Sequence, residues 1–441
     1  MRKHILADFQ HVDHVDLHGD VRQNPRISGT THNVFGITLG VGITLAIKKA
    51  GRKLRFRYFR VAEDLRKEDK LRFLEAGTID WKTMTPDQDY TWIASEHADE
   101  YRSFTPIKEI FARGSLGLNT NRDGAVYDFD RGRLIHKVKR LIDNYNLQVD
   151  LHKRQKDAEY SHEIPWSSRL KESLARGQYA SFSEEKVRNS VYRPFTKRWV
   201  FLDKILNQRT GIWTSISGAV IAVPGPGNRK PFGAMISDTV LPLDLAFEKI
   251  QCFPLSNVKD AALDQFQNRY ADATITKEAI FNYIYALLHH PEYRERYAAN
   301  LKRELPRIPF APDFGAFAVA GRELARLHVE YESLTPWPLE EIENKDVPYT
   351  QRVTKMKLSP DKQSLWVNES LTLANMPPET FEYRLGSRSA LEWIVDQYQV
   401  KGESDPNRED DPGYIIRLVG QVVRVSVETV AIVKSLPKFL P

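Results

Sequence analysis

Cysteine is all but absent. Cys252 is the only one in 441 residues, which excludes an internal disulfide and leaves too few thiols for a cysteine-rich zinc module or an iron–sulfur cluster. A reducing, cytoplasmic setting is the expectation. Long apolar runs are missing too: no stretch approaches the ~20 residues of a membrane span. The opening MRKHILADFQHVDHVDLHGD mixes charge with apolar residues, unlike a secretory leader. Neither export nor membrane insertion is expected. Nor does one sign of charge dominate, since 64 Lys and Arg against 58 Asp and Glu leave a net +6. That excess permits a polyanionic partner without requiring one. What the chain has in quantity is core material, 41% hydrophobic and 11% aromatic residues, enough for roughly three domain-sized cores and too much for intrinsic disorder.

The usual catalytic signatures are missing as well. There is no Gly-x-x-x-x-Gly-Lys-Ser/Thr phosphate loop, no Gly-x-Ser-x-Gly nucleophile elbow and no His-Glu-x-x-His zinc helix. Gly225-Pro-Gly227-Asn-Arg-Lys lacks the strand–turn–helix setting of a phosphate loop, and Gly40-Val-Gly42 lies inside an apolar run that suits strand packing. The densest ionisable cluster is His11, Asp13, His14, Asp16, His18 and Asp20. Its Asp-Leu-His-Gly-Asp string is like the opening of a metallophosphoesterase, in which hard and borderline ligands hold two metal ions. Such a centre draws further ligands from separate strand ends; here Gly19 and Asp20 directly follow His18, and Gly29-Thr-Thr-His32-Asn33 has the wrong order. A strand with polar residues on its solvent face is the favoured account, and a metallophosphoesterase-like hydrolase using cluster 11–20 is the alternative.

Hydrophobic patterning gives the organisation. Val12, Val15 and Leu17 alternate with polar residues, residues 34–47 are nearly all apolar and β-branched, and 54–61 alternate again, which predicts strands, the middle one buried. A short amphipathic helix precedes them, and Leu65, Leu71 and Leu74 predict another over 62–76. A sheet with so little before its buried strand suggests that the chain begins within a domain. Residues 77–275 mix short helices, such as 130–146, with Gly, Pro and Asn rich connections, without any repeat. Residues 276–332 predict a three-helix core element, with Thr276 as a cap and Pro291 at a helix start. Residues 389–400 are amphipathic, and 413–436 fit a buried helix better than a strand.

Cationic and aromatic segments remain. Residues 48–72 carry eleven Lys or Arg against four Asp or Glu. Residues 191–211 interleave Arg193, Lys197, Arg198, Lys204 and Arg209 with Tyr192, Phe195 and Trp199, and Asn119 to Gly124 make a tight polar turn. Arg forks onto guanine or phosphate, Asn pairs with adenine, and Lys adds phosphate attraction. The candidate DNA-binding residues are therefore Asn121, Arg122, Arg193, Lys197, Arg198, Asn207 and Arg209. The bland account of the same residues is a strand with solvated charges and a structural turn.

Five strings, in order, resemble one family: SGTTHNVFGITLGVGI (28–43), SLGLNTNRDGAVYDF (115–129), YRPFTKRWVFLD (192–203), IFNYIYALLHHPEYRERYAANLKRELPRIPF (280–310), and ALEWIVDQYQV with SVETVAIVKSLP near the end. They are similar to the C-terminal part of Type ISP restriction–modification enzymes. These are large single chains for phage defence that join a nuclease, an ATPase translocase, an adenine-N6 DNA methyltransferase and a target-recognition domain. The resemblance implies a mixed α/β chain: terminal strands of a Rossmann-like methyltransferase sheet (1–76), a target-recognition domain with connector (77–275) and a helical C-terminal specificity block (276–441). The family's Phe-x-Gly-x-Gly and Asn-Pro-Pro-Tyr strings occur nowhere in the 441 residues. The chain is accordingly expected to be a fragment or split-gene product, inactive alone, with S-adenosylmethionine, ATP and Mg belonging to the full-length enzyme. Its expected partners are double-stranded DNA and a separate chain carrying the catalytic motifs. A docking module that touches no DNA is the remaining alternative. The resemblance also implies an aromatic on or near the late strand to stack on a flipped adenine; residues 41–47 have only Phe35 nearby, so that role stays unassigned.

Overall fold

Alternation over 11–18 produces a strand with two working faces. In the computed structural model, which describes residues 1–441 except 20–30, 50, 52, 63–64, 87–89, 91, 93–96, 156–157, 215–217 and 441, the first elements are α1 (Arg2–Asp8), β1 (His11–His18), β2 (Val41–Ile47), β3 (Arg55–Arg60), α2 (Lys67–Ala76) and β4 (Lys82–Met84). The sheet order is β2-β1-β3-β4, with β1 and β3 parallel and the other pairs antiparallel. On one face Val12, Phe56 and Tyr58 pack with Leu6 of α1 and with Trp92; on the other, Val15, Leu17 and Val61 pack with Phe73 and Leu74 of α2.

The buried strand expected over 34–47 is corrected in two ways. Residues 34–40 turn rather than pair, and β2 lies at the sheet edge with Ile43, Leu45 and Ile47 exposed at 43%, 58% and 45%. An apolar β-branched run fixes the extended conformation but not what covers it, and among the described residues β2 has β1 as its one strand neighbour. The helix expected over 62–76 begins at Lys67, and Gly77 ends it in the left-handed conformation.

This first unit spans Met1–Glu100, and β4 belongs to it through its pairing with β3. The second spans Tyr101–Pro441. Its elements include β5 (Ser115–Leu116), β6 (Tyr127–Asp128), α3 (Arg131–Arg154), α4 (Ser168–Ala175), β7 (Val187–Arg193), β8 (Thr196–Phe201), β9 (Val220–Val223), β10 (Met235–Ser237) and β11 (Gln251–Pro254). There follow α5 (Asp260–Tyr270), α6 (Lys277–Leu287), α7 (Pro291–Arg296), α8 (Ala298–Arg303) and α9 (Phe314–Val329). The chain ends with β12 (Glu340–Glu343), β13 (Lys357–Leu358), β14 (Leu365–Trp366), β15 (Leu371–Ala374), α10 (Ala390–Gln397) and α11 (Tyr414–Ser435). Among its sheets are three of three or four strands, ordered β10-β9-β11-β5, β6-β8-β7 and β12-β15-β14-β13. The architecture is mixed α/β, as expected.

Two apolar clusters hold this unit together. One joins α3, the β7–β8 hairpin, α10 and α11; the other surrounds α6. Residues Ile280 to Leu287 are all buried, so α6 is a central helix apolar on every side. Thr276 caps it as expected, through the Ala279 N–H at 3.1 Å. Where α9 crosses α6, Gly321 lets the backbones meet: a Cβ there would lie 1.8 Å from the Asn282 carbonyl oxygen. The three helices expected over 276–332 are four, because the chain breaks at Tyr297 between α7 and α8. Residues 414–435 form one helix, as the spacing predicts, and the capping box of Ser389 and Glu392 starts α10.

Candidate nucleic-acid interface

The sequence Arg-Pro-Phe-Thr closes the β7–β8 hairpin. Pro194 presets one turn dihedral, and Phe195 takes a left-handed φ of 56°. That conformation is strained for an aromatic residue, and burial holds it: the Phe195 ring is fully buried, with Tyr331, His328 and Tyr383 rings at 5.2, 6.0 and 6.3 Å. The hairpin is thus bolted to the core by its tip. Val191 pairs with Lys197 and Arg193 with Thr196, with an irregularity between them.

On this rigid ribbon the cations are stacked on rings. Arg198 lies 4.2 Å from the Phe129 ring and 4.3 Å from that of Tyr192, and Arg193 is 4.2 Å from the same Tyr192 ring. Burial lowers the pKa of Arg198, and its buried Nε has no hydrogen-bond partner. Arg193 donates to the Tyr192 carbonyl at 2.7 Å. Lys197 is paired with Glu332 at 2.5 Å, and Tyr414 also donates to Glu332, at 2.7 Å.

The polar turn meets this hairpin, although some 70 residues separate them. Tyr192 donates its hydroxyl to Asp123 at 2.9 Å. Asn119 and Arg209 exchange backbone hydrogen bonds of 2.9 and 2.8 Å, so the 119–123 turn and the 203–209 segment lie side by side. Asn121 and Arg209 are exposed there. Two other candidates lie inside the fold. Arg122 is 4% exposed and points inward: Nε donates to the Pro165 carbonyl at 3.2 Å, Nη2 to Ser167 Oγ at 2.7 Å and Nη1 to the Leu206 carbonyl. Burial pushes its pKa down to about 10. Asn207 is also buried and accepts from the Asp203 N–H at 2.7 Å, closing a local turn. Both side chains organise the site from beneath. The left-handed φ of 55° at Asn121 is what turns the chain inward at this point.

Beside the hairpin runs an open cleft of about 1250 Å³ whose lining includes Phe129, Arg131, Trp199, Tyr349, Arg352 and Arg408. Reasoning from spacing missed Arg131, Arg352 and Arg408. The last two lie more than 150 residues from the hairpin, in segments with no aromatic–cationic interleaving to mark them. In the other basic segments several cations have internal partners: Arg229 pairs with Glu248 at 2.8 Å, Lys230 donates to the Ala246 carbonyl, and Lys70 donates to the His32 carbonyl at 2.7 Å.

The His/Asp cluster of β1 is engaged by arginines. Asp13 pairs with Arg57, Asp16 accepts from Tyr58 and lies 3.4 Å from Arg60, and Arg60 also donates to His18. Asp20 lies outside the described residues. Among the described residues no group of three His, Cys, Asp or Glu is placed to hold a metal ion, and guanidinium groups on the carboxylates oppose a second cation there.

The family model of the Type ISP C-terminal specificity domain matches residues 109–418. Among solved structures, a cryo-EM DrdV–DNA complex is 31% identical, with a TM-score of 0.77 over 100% of this chain and 49% of that one. A nuclease-deletion mutant of the Type ISP restriction–modification enzyme LlaGI, in complex with a DNA substrate mimic, is 29% identical, with a TM-score of 0.77 over 99% of this chain and 44% of that one. The ATP-dependent Type ISP restriction–modification enzyme LlaBIII bound to DNA is 26% identical, with a TM-score of 0.79 over 100% of this chain and 31% of that one. The chain therefore spans half or less of the length of these relatives. No curated protein matches it.

Proposed function

The chain belongs to the Type ISP C-terminal specificity domain family, and from that premise we propose that its larger unit reads a duplex DNA sequence. The observation that carries this is the convergence of three separated segments: the Tyr192–Asp123 bond and the Asn119–Arg209 pairing gather Asn121, Arg193, Arg198 and Arg209 around one hairpin. Arginine forks and an amide on a rigid ribbon suit phosphate contact and base-edge readout. The DNA complexes of DrdV, LlaGI and LlaBIII support the same substrate class.

In this reading the unit positions a duplex so that a methyltransferase part modifies an adenine at N6, within a restriction–modification system that serves phage defence. S-adenosylmethionine, ATP and Mg belong to such a complete enzyme. The strings that would hold S-adenosylmethionine and the target adenine are not in these residues, so no chemical step is assigned to them. The exposed Ile43, Leu45 and Ile47 favour a further role for the first unit, docking a polypeptide that carries the rest of a methyltransferase sheet.

The test is binding of the 441-residue chain to a randomised duplex pool across a salt series. Enrichment of one motif, with affinity falling as salt rises, is the expected result. Binding with no sequence preference at any salt, or no binding, overturns the recognition function.

A further inference from the structure

The cations lining the cleft beside the hairpin divide into two groups. Arg131, Arg133, Lys197 and Arg352 each face a carboxylate, of Glu184, Asp128, Glu332 and Asp405 respectively. Arg198 and Arg408 have no ion pair and no hydrogen bond among the described residues, and each lies instead against aromatic rings. Arg198 sits between Phe129 and Tyr192, 4.2 and 4.3 Å from their ring centres, and the Arg408 guanidinium is 3.3 Å from the Tyr414 ring centre. Arg198 is recessed, whereas Arg408 is exposed on a loop contributed more than 200 residues later.

Stacking occupies the faces of a guanidinium and leaves its N–H edge, which offers donors only. The recessed carboxylates are already used: Glu332 serves Lys197 and Tyr414, and Asp405 serves Arg352 and the Asn407 amide. A ligand that completes the two guanidinium edges must bring acceptors and negative charge. A phosphodiester brings both, whereas the O6 and N7 acceptors of a guanine edge carry no net charge. Shape agrees, because a concave cleft receives the ridge of a sugar–phosphate strand, while bases in a groove are reached by elements that protrude. Glu409 and Asp410, exposed on the same lining, oppose an anion and supply a test of opposite sign.

We propose that this cleft seats a phosphate of the DNA backbone between Arg198 and Arg408. The proposal rests on the DNA recognition function and adds a second contact site to it, with Arg408 as its accessible cation. The experiment titrates a mixed-sequence duplex against the wild-type chain and Arg408→Ala across a salt series. Arg408→Ala is expected to bind about tenfold more weakly near 0.1 M salt and to lower the log–log salt slope by about one, for every sequence alike. Arg408→Lys keeps the charge but not the fork, and is expected to keep the slope while losing part of the affinity. Glu409→Gln with Asp410→Asn is expected to tighten binding. Arg198→Lys, checked by its unfolding midpoint, probes the recessed half.

Wild-type affinity and slope in Arg408→Ala overturn the site and leave DNA recognition standing. A changed sequence preference at constant slope also overturns it, since that marks a base contact. Inorganic phosphate binding that Arg408→Ala abolishes while DNA binding stays unchanged would show a free-phosphate site instead. Failure of the wild-type chain to bind any duplex overturns the recognition function itself, and this site with it.

Discussion

Replacing Arg122 by Ala separates a structural arginine from a DNA-binding one. Its guanidinium donates to the Pro165 carbonyl, to Ser167 Oγ and to the Leu206 carbonyl, tying two segments, at 165–167 and at 206, to the 119–123 turn. Ser167 is also the N-cap of α4, accepting from the Leu170 N–H, so the bond to it reaches a helix start. Hydrogen bonds from a charged donor contribute about 1.5 kcal/mol each at the lower end of their range. Three of them set the expected loss at about 4.5 kcal/mol, a large part of the roughly 5–15 kcal/mol that stabilises a typical domain. Truncation also leaves two carbonyl oxygens without their donor, and it relieves the buried charge whose desolvation lowers the Arg122 pKa to about 10. These two effects oppose each other. At a urea dependence of about 3 kcal/mol per M the midpoint of the larger unit should fall by roughly 1.5 M. Arg209→Ala, at an exposed position, should stay within about 0.5 kcal/mol of wild type. An unchanged midpoint in Arg122→Ala, combined with weakened DNA binding, would refute the internal role and return Arg122 to the binding surface.

Burial pushes the Asp128 carboxyl up, but the Lys137 ammonium at 2.7 Å, the Asp130 N–H and Arg133 outweigh it and hold the pKa below the usual 3.8. A pKa lowered on folding stabilises the fold above the unfolded value and is lost as pH falls through the folded one. Acid unfolding of the wild type should therefore steepen below about pH 4, and Asp128→Asn should be less stable at pH 7 with a flatter acid limb in a urea series. Phe195→Ala removes the plug of the hairpin tip and should cost about 3–5 kcal/mol in the same assay; a loss under about 1 kcal/mol would show that the tip is not anchored by its ring. Gly321→Ala should prevent the close crossing of α6 and α9 and lower the thermal midpoint by several degrees, and an unchanged midpoint would refute that crossing. The wild-type chain should self-associate in sedimentation through its open β2 edge, and Leu45→Lys should reduce this without lowering the unfolding midpoint, since Leu45 is 58% exposed.

Local chemistry makes much of this protein legible in its sequence. Alternation at Val12, Val15 and Leu17 specifies β1; Thr276, Pro291 and the Ser389–Glu392 pair mark helix starts; and the spacing of Ile416, Val419, Val423 and Val427 gives α11. These signals act within a few residues along the chain, so sequence carries them directly. The interleaved cations and rings of 191–211 likewise draw attention to the hairpin that structures the candidate interface.

Tertiary structure decided the rest, because the fate of a polar side chain depends on groups far away in sequence. Arg122 reads as a surface residue until the Leu206 carbonyl, 84 residues on, takes its N–H. Asn207 reads as an amide for adenine until the Asp203 turn closes around it. The run at 41–47 is apolar enough for a core, yet its place at the sheet edge leaves it open. Arg408 carries no sequence mark, and only the fold brings it to the cleft that Arg198 lines. Periodicity fixes conformation through short-range sterics and hydrogen bonds, whereas which donors remain unpaired is settled when distant segments pack.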